Sequence, residues 1–319
     1  CIFFESIKVS MGEVLVSVSL PNFNHGEFLK ERIPSILSAL PPTGELIIAD
    51  DGSTDQSVSI IESFASKDSR VVFIQSKKNE GVLTALEKIL SLARGKYIAF
   101  LSADDFIFPD FFKKLLDLAH LYPGMAVYCS DFGYSEEYIP GPPQQYPSKP
   151  LLKGISTSLA FSPDTLSSVF AQTDFWIPVH AALLDRRAVL DRGGFMRDLQ
   201  QHADWFLAHS IALLGGVAYL PETLSIWRLS PTTFTSREIA KKRALRKIQL
   251  RFFEVLQRED NRFLRKQFRN SSLLRGAIRN TFFSLLLKPI YWDYIFFYGV
   301  TFLRKRSARF FGRYRPVEN

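Results

Sequence analysis

Apolar residues along this chain fall in short continuous runs and at helical spacing by turns. Val14-Leu15-Val16-Ser17-Val18-Ser19-Leu20 is a β-branched run that stops at Pro21-Asn22-Phe23-Asn24, which predicts a buried strand ending in a loop. Phe28, Leu29, Ile33, Ile36, Leu37 and Leu40 then recur at helical spacing until Pro41-Pro42 closes the segment. The cycle repeats as a strand over 46–49, a helix over 58–64, a strand over 71–74, a helix over 82–92 and a strand over 97–101. Continuously apolar strands alternating with helices predict a parallel sheet covered on both faces. Ligands of such sheets bind beyond the carboxyl ends of the strands. The polar loops 21–24, 50–55 and 102–105 are therefore expected side by side in one crevice.

Further on the pattern weakens. Pro140, Pro142, Pro143, Pro147 and Pro150 predict a long irregular loop across 135–168. Regular structure returns as a helix over 185–192 stopped by Gly193-Gly194, a helix over 203–214 and a short strand over 217–220. Residues 237–285 read as helices with basic and apolar faces. The expected organisation is an N-terminal extension (1–13), an α/β domain (14–235) and a basic helical region (236–319).

Charge sharpens that division. Residues 1–236 carry 19 Lys and Arg against 26 Asp and Glu, whereas 237–319 carry 21 against 6. A polyanionic partner is thus a matter for the last quarter alone. Its basic residues alternate with Phe and Leu at helical spacing, and no nucleic-acid module is visible, so an anionic membrane surface is expected and nucleic acid is not. The competing reading is a solvated helix packed on the α/β domain. The most apolar stretch, 281–303, is interrupted by Lys288, Pro289 and Asp293, which favours an interfacial or re-entrant segment over a spanning helix. Cys1 and Cys129 make no disulfide framework, and Cys1-Ile2-Phe3-Phe4 is too short and lightly charged for a signal peptide, with Met11 read as the natural start. The expected location is cytoplasmic, peripheral on the inner face of the plasma membrane.

Two acidic loops carry the candidate chemistry. Ala49-Asp50-Asp51-Gly52-Ser53-Thr54-Asp55 follows a strand, although Asp, Gly and Ser are also ordinary turn residues and Asp55 can simply cap the next helix. Asp104-Asp105 follows the strand over 97–101, and adjacent carboxylates repel unless a cation or donors compensate. Mg²⁺ or Mn²⁺ bound to a diphosphate suits such hard oxygen ligands.

These loops, taken with Asn79-Glu80-Gly81, Phe100-Leu101-Ser102-Ala103-Asp104-Asp105, Gly193-Gly194-Phe195, Ala203-Asp204-Trp205 and Trp227-Arg228, resemble in order and spacing the family 2 glycosyltransferases of the GT-A fold. The resemblance covers roughly residues 14–235. It implies a Rossmann-like nucleotide-diphospho-sugar transferase fold, a mostly parallel mixed sheet with helices on both faces. It also implies inverting transfer from a nucleotide sugar, a UDP-sugar by expectation, to a saccharide or lipid-linked saccharide in cell-surface polysaccharide biosynthesis.

By position, Pro21, Phe23, Asn24, Asp50, Asp51, Asn79 and Gly81 resemble residues around the nucleotide. Ser102, Ala103 and Asp104 match the family's Asp-x-Asp motif. The resemblance makes Asp104 the ligand of a divalent metal, Mg²⁺ or Mn²⁺, with Asp105 a lesser candidate. Asp204 matches the family's catalytic base, against the reading that it caps a helix. His180, Trp205, Trp227 and Arg228 fall on the acceptor or phosphate side, the tryptophans being open to core roles too. Ser102 stands where relatives place an acid, Leu86 where they place an arginine and Leu229 where they place a histidine. The alternative they suggest is a weak or inactive sugar-nucleotide-binding scaffold.

Overall fold

A computed structural model describes residues 14–137, 141–148, 150–229 and 242–310. The expected N-terminal extension, with Met11, lies outside the described residues. Strands β1 (Val16–Asn22), β2 (Gly44–Asp50), β3 (Val71–Gln75) and β4 (Tyr97–Phe100) lie in the order β3-β2-β1-β4, all parallel. Helices α1 (Gly26–Ala39), α2 (Ser57–Ala65) and α3 (Val82–Leu92) make the connections, as the alternating pattern predicts.

Beyond β4 the sheet turns mixed. The short β5 (Phe106–Ile107) leads into α4 (Phe111–Leu121) and β6 (Val127–Ser135). β7 (Leu159–Phe161) lies inside the segment expected to be irregular, and α5 (Pro163–Gln172) begins there. Pro163 sits at the first turn of α5, where a missing N–H costs nothing, so a proline that reads as a breaker in sequence serves as a helix start. Next come β8 (Ala182–Asp185), α6 (Arg186–Asp191), α7 (Ala203–Gly215) and β9 (Val217–Arg228). β8 runs antiparallel to both β4 and β6, and β9 runs parallel to β6. β9 is much longer than the expected 217–220. A register shift opposite Ser130 and Asp131 leaves Pro221 and Glu222 unpaired, and the ladder then resumes to Arg228. Pro221 hides that second half from a pattern reader because prolines in sheets sit at bulges.

Alternate residues of each central strand feed two cores. Val16, Val18, Leu20, Leu46 and Ile48 pack on α1 and α4, through Leu29, Ile33, Ile36, Phe111 and Leu115. Ile47, Ala49, Ile98 and Phe100 pack on α3 and α7. The second core does not stop at residue 235. Helices α8 (Lys242–Gln257), α9 (Arg262–Asn270), α10 (Arg275–Leu286) and α11 (Trp292–Phe310) follow, and Phe252, Phe253, Leu256, Leu264 and Phe268 are buried in the same cluster. Phe206 of α7 stacks on Phe268 at 5.3 Å. Arg258 pairs with Asp198, and Arg192 donates to Asn261. The amphipathic helices over 242–270 are therefore packed on the α/β portion with their apolar faces inward. Among the described residues no helix is long and apolar enough to cross a membrane.

Candidate active site

The loops after β1 and β2 are knitted by their own polar side chains. Asp50, fully buried, accepts from the Asn22 amide (2.7 Å), the Ser53 hydroxyl (2.5 Å) and the Ser53 backbone N–H (2.9 Å). Asn24, left-handed at φ 55°, accepts from the Thr54 N–H, and its own N–H donates to Ser53. Asp51 is buried too, its two oxygens accepting from the N–H groups of Glu80 (2.9 Å) and Gly81 (2.8 Å). Asn79 accepts from the same Gly81 N–H. Gly52 has φ 76°, and a Cβ there would stand 2.6 Å from backbone of Lys78. The two aspartates thus shape the loop edge, and Phe23 projects from it 41% exposed. Pro21 is half-buried at the end of β1.

Asp55 also has a local duty, accepting from Ser57 N–H and, across the crevice, from Gly26 N–H. Burial works to raise its pKa, but these hydrogen bonds outweigh it and hold the carboxyl below its ordinary value.

The second acidic loop is built differently. Asp105 is buried, accepting from the Ser102 hydroxyl (2.6 Å) and from the Arg228 backbone N–H (3.1 Å), so it ties the end of β4 to the end of β9. Ala103 turns its methyl into the core and can offer a ligand only backbone. Asp104 stays partly open, and burial, reinforced by the Asp105 carboxylate, raises its pKa. A half-open carboxylate penalised for its charge fits a divalent cation, and Asp104 is the residue that would hold it. Among the described residues no group of three or more His, Cys, Asp or Glu stands together as a complete metal site, so a nucleotide's phosphates would have to furnish most of the shell.

Sequence reasoning passed over Arg32. It lies on the buried side of α1, about 1% exposed, and its three guanidinium nitrogens have no hydrogen-bond partner. Burial lowers its pKa to about 10, against the opposing pull of Asp105 and Asp104. A lasting positive charge therefore sits beneath the acid pair. The available signal was a charged residue within the apolar stripe of a helix, between Leu29 and Ile33.

Aromatic and histidine side chains lie around and beyond the acid pair. His180, partly buried and held below its ordinary pKa by desolvation, feels both Asp105 and Arg32 and meets the Phe132 ring at 4.8 Å. Trp227, 38% exposed, lies 6.0 Å from His180. The Arg228 guanidinium stands 4.6 Å over Phe28. Ile177, three residues before His180, donates its N–H to His209, which packs on Trp205 at 4.3 Å. Trp205 is partly buried and packs against the core at Phe252 and Phe268. Asp204, one residue earlier in the first turn of α7, is exposed; one of its oxygens accepts from the Trp205 N–H (2.6 Å), and desolvation, outweighing that bond, raises its carboxyl pKa. Just ahead of it Arg197 pairs with Glu87 of α3 and reaches Thr84, which ties the approach to α7 to the helix that follows Gly81.

Residues 17–189 match the sequence model of the family described as Glycosyl transferase family 2. A glycosyltransferase of Haemophilus influenzae, called uncharacterized, is 39% identical over 107 residues, 34% of this chain and 43% of that one. Chondroitin synthase of Escherichia coli is 36% identical over 115 residues, 34% of this chain and 17% of that protein. The chain thus spans less than half the length of either relative. Among solved structures, S. aureus TarS 1–349 in complex with UDP-GlcNAc matches 84% of this chain and 72% of its own, with TM-score 0.58 and 17% identity. The mannosyltransferase PcManGT of Pyrobaculum calidifontis, in complex with GDP-Man and Mn²⁺, matches 95% of this chain and 88% of its own, with TM-score 0.54 and 15% identity. At such identities the likeness is one of fold, the GT-A architecture.

Proposed function

The chain belongs to glycosyl transferase family 2, and on that premise we propose that it transfers a sugar from a nucleoside diphosphate donor, a UDP-sugar, to a hydroxyl of a saccharide or lipid-linked saccharide during cell-surface polysaccharide synthesis. The reading is supported by neighbours that link the acid pair beyond β4 to Asp204 at the start of α7: His180 feels Asp105, Ile177 three residues before it donates to His209, and His209 packs on Trp205, the residue after Asp204. Asp104 offers a carboxylate suited to a cation, and Asp204 a carboxylate suited to a proton.

In this reading Asp204 removes the proton of the acceptor hydroxyl as that oxygen bonds to the anomeric carbon. The bond from that carbon to the diphosphate breaks on the opposite face, so the configuration inverts. A desolvated carboxylate is a stronger base than a free one, which suits Asp204 to this role. A divalent cation at Asp104 would neutralise charge on the departing diphosphate. Asp50, Asp51 and Asn24 hold the loops against which the nucleotide lies, with Phe23 offering it an aromatic face. Asp105 positions Ser102 and the Arg228 backbone, and exposed Trp227 offers a surface to the acceptor sugar.

The test is thermal stabilisation across a panel of nucleotide sugars with and without Mn²⁺, followed by transfer assays with the stabilising donor. A UDP-sugar that stabilises the protein, with turnover lost in Asp204→Asn, is expected. Turnover unchanged in that variant removes Asp204 as the base, and no response to any nucleotide sugar removes the donor assignment.

A further inference from the structure

Inward packing of α8 and α9 leaves a different apolar surface uncovered. On α10 the buried positions are Ala277, Ile278, Thr281 and Leu285, so the outer side presents Arg279, Phe283, Leu286 and Leu287. The turn and the start of α11 add Ile290, Trp292 and Phe296. Phe283 is 81% and Leu287 84% exposed, an unusual condition for such large apolar side chains in neighbouring turns.

Several polar groups at the tip of this helical hairpin are partnered within it. Trp292 Nε1–H donates to the Leu286 carbonyl at 2.9 Å, the Lys288 N–H to Leu285 and the Tyr291 N–H to Lys288. Little unmet backbone would accompany it into an apolar medium. The exposed charge of this face is basic, Arg279 and Lys288, while the acids near it are paired, Asp293 with Arg269 at 3.1 Å and Glu254, which faces Tyr291, with Arg251. Exposed Lys288 stands at the tip itself. A second copy on this face would set cation against cation, whereas anionic headgroups complement it.

We propose that the hairpin tip formed by Phe283, Leu286, Leu287, Ile290, Trp292 and Phe296 inserts into the interface of an anionic lipid bilayer and seats the protein on it. The apolar side chains enter the acyl boundary while Arg279 and Lys288 meet the phosphates. This holds whichever sugar is moved and whether or not Asp204 is the base.

The test is co-sedimentation of the full chain with vesicles of phosphatidylcholine alone and of phosphatidylcholine mixed with phosphatidylglycerol, at low and high salt. The wild-type chain is expected to sediment with the mixed vesicles and to be released by salt. The double variant Phe283→Ser, Leu287→Ser is expected to lose binding about tenfold or more, from the apolar area removed. Its circular dichroism and thermal unfolding should be those of wild type, since both side chains are exposed. Lys288→Glu, which leaves the apolar surface intact, should weaken binding to mixed vesicles alone. Equal binding to both vesicle types, or undiminished binding by the double variant, overturns the proposal. So does a dimer in light scattering that the double variant dissolves while vesicle binding persists.

Discussion

At the residue scale, the site rests on carboxylates that share a chemistry and differ in surroundings. Asp50 and Asp51 are consumed by the loop they stand in, Asp105 ties two strand ends, and Asp104 and Asp204 remain open to a ligand. The raised pKa of Asp204 has a stability consequence. Its folded form binds a proton more readily than the unfolded chain does, so stability falls as pH rises from the ordinary carboxylate range through the raised value. Asp204→Asn is therefore expected to raise the melting temperature at neutral pH, and less so at acid pH, while abolishing transfer. A variant that melts lower at neutral pH would show the carboxylate to be a structural cap. Gly52→Ala forces a Cβ against the Lys78 backbone at a left-handed position. It should cost about 1–3 kcal/mol in chemical denaturation and weaken nucleotide binding. Arg32→Met removes the charge beneath the acid pair. Metal-free binding of UDP, measured by calorimetry, should weaken by about tenfold as Asp104 and Asp105 repel the diphosphate unopposed.

At the element scale, what the sequence made legible depended on how each segment is stabilised. The first four strands and three helices could be read because strands buried on both faces are continuously apolar and their helices carry one apolar stripe. β9 was only half legible because its pairing resumes past a proline bulge, which only the neighbouring strand β6 defines. α5 was hidden by a proline whose role depends on whether it opens or interrupts a helix. Asp104, Asp105 and Asp204 were legible through motif order, whereas Arg32 was not, since a lone charge in a helix acquires meaning only from what lies opposite. The helices α8 and α9 were expected on an anionic lipid surface, with packing on the α/β domain as the competing reading, and their apolar faces do pack on that domain. Phe268→Ala, emptying a site stacked on Phe206, should cost about 3–5 kcal/mol in chemical denaturation. A cost well under 1 kcal/mol would mean that α9 does not stay docked in solution.

At the scale of the whole molecule, one buried cluster joins Phe100 of β4, Ala203 of α7 and Phe268 of α9, so the sheet and the C-terminal helices share a core. They are expected to unfold together, in one thermal transition seen alike by far- and near-ultraviolet circular dichroism. Two separated transitions would mark the C-terminal helices as an independent unit. The amino-acid sequence by itself determined the alternation of strand and helix, the polar loops at the strand ends and the concentration of positive charge in the last quarter. These are properties of local spacing and composition, written in neighbouring residues. Only the tertiary structure decided which apolar helix faces are consumed inside the molecule and which remain outside, and which of five carboxylates stay free. Those outcomes depend on contacts between residues far apart in the chain, for which no local pattern exists.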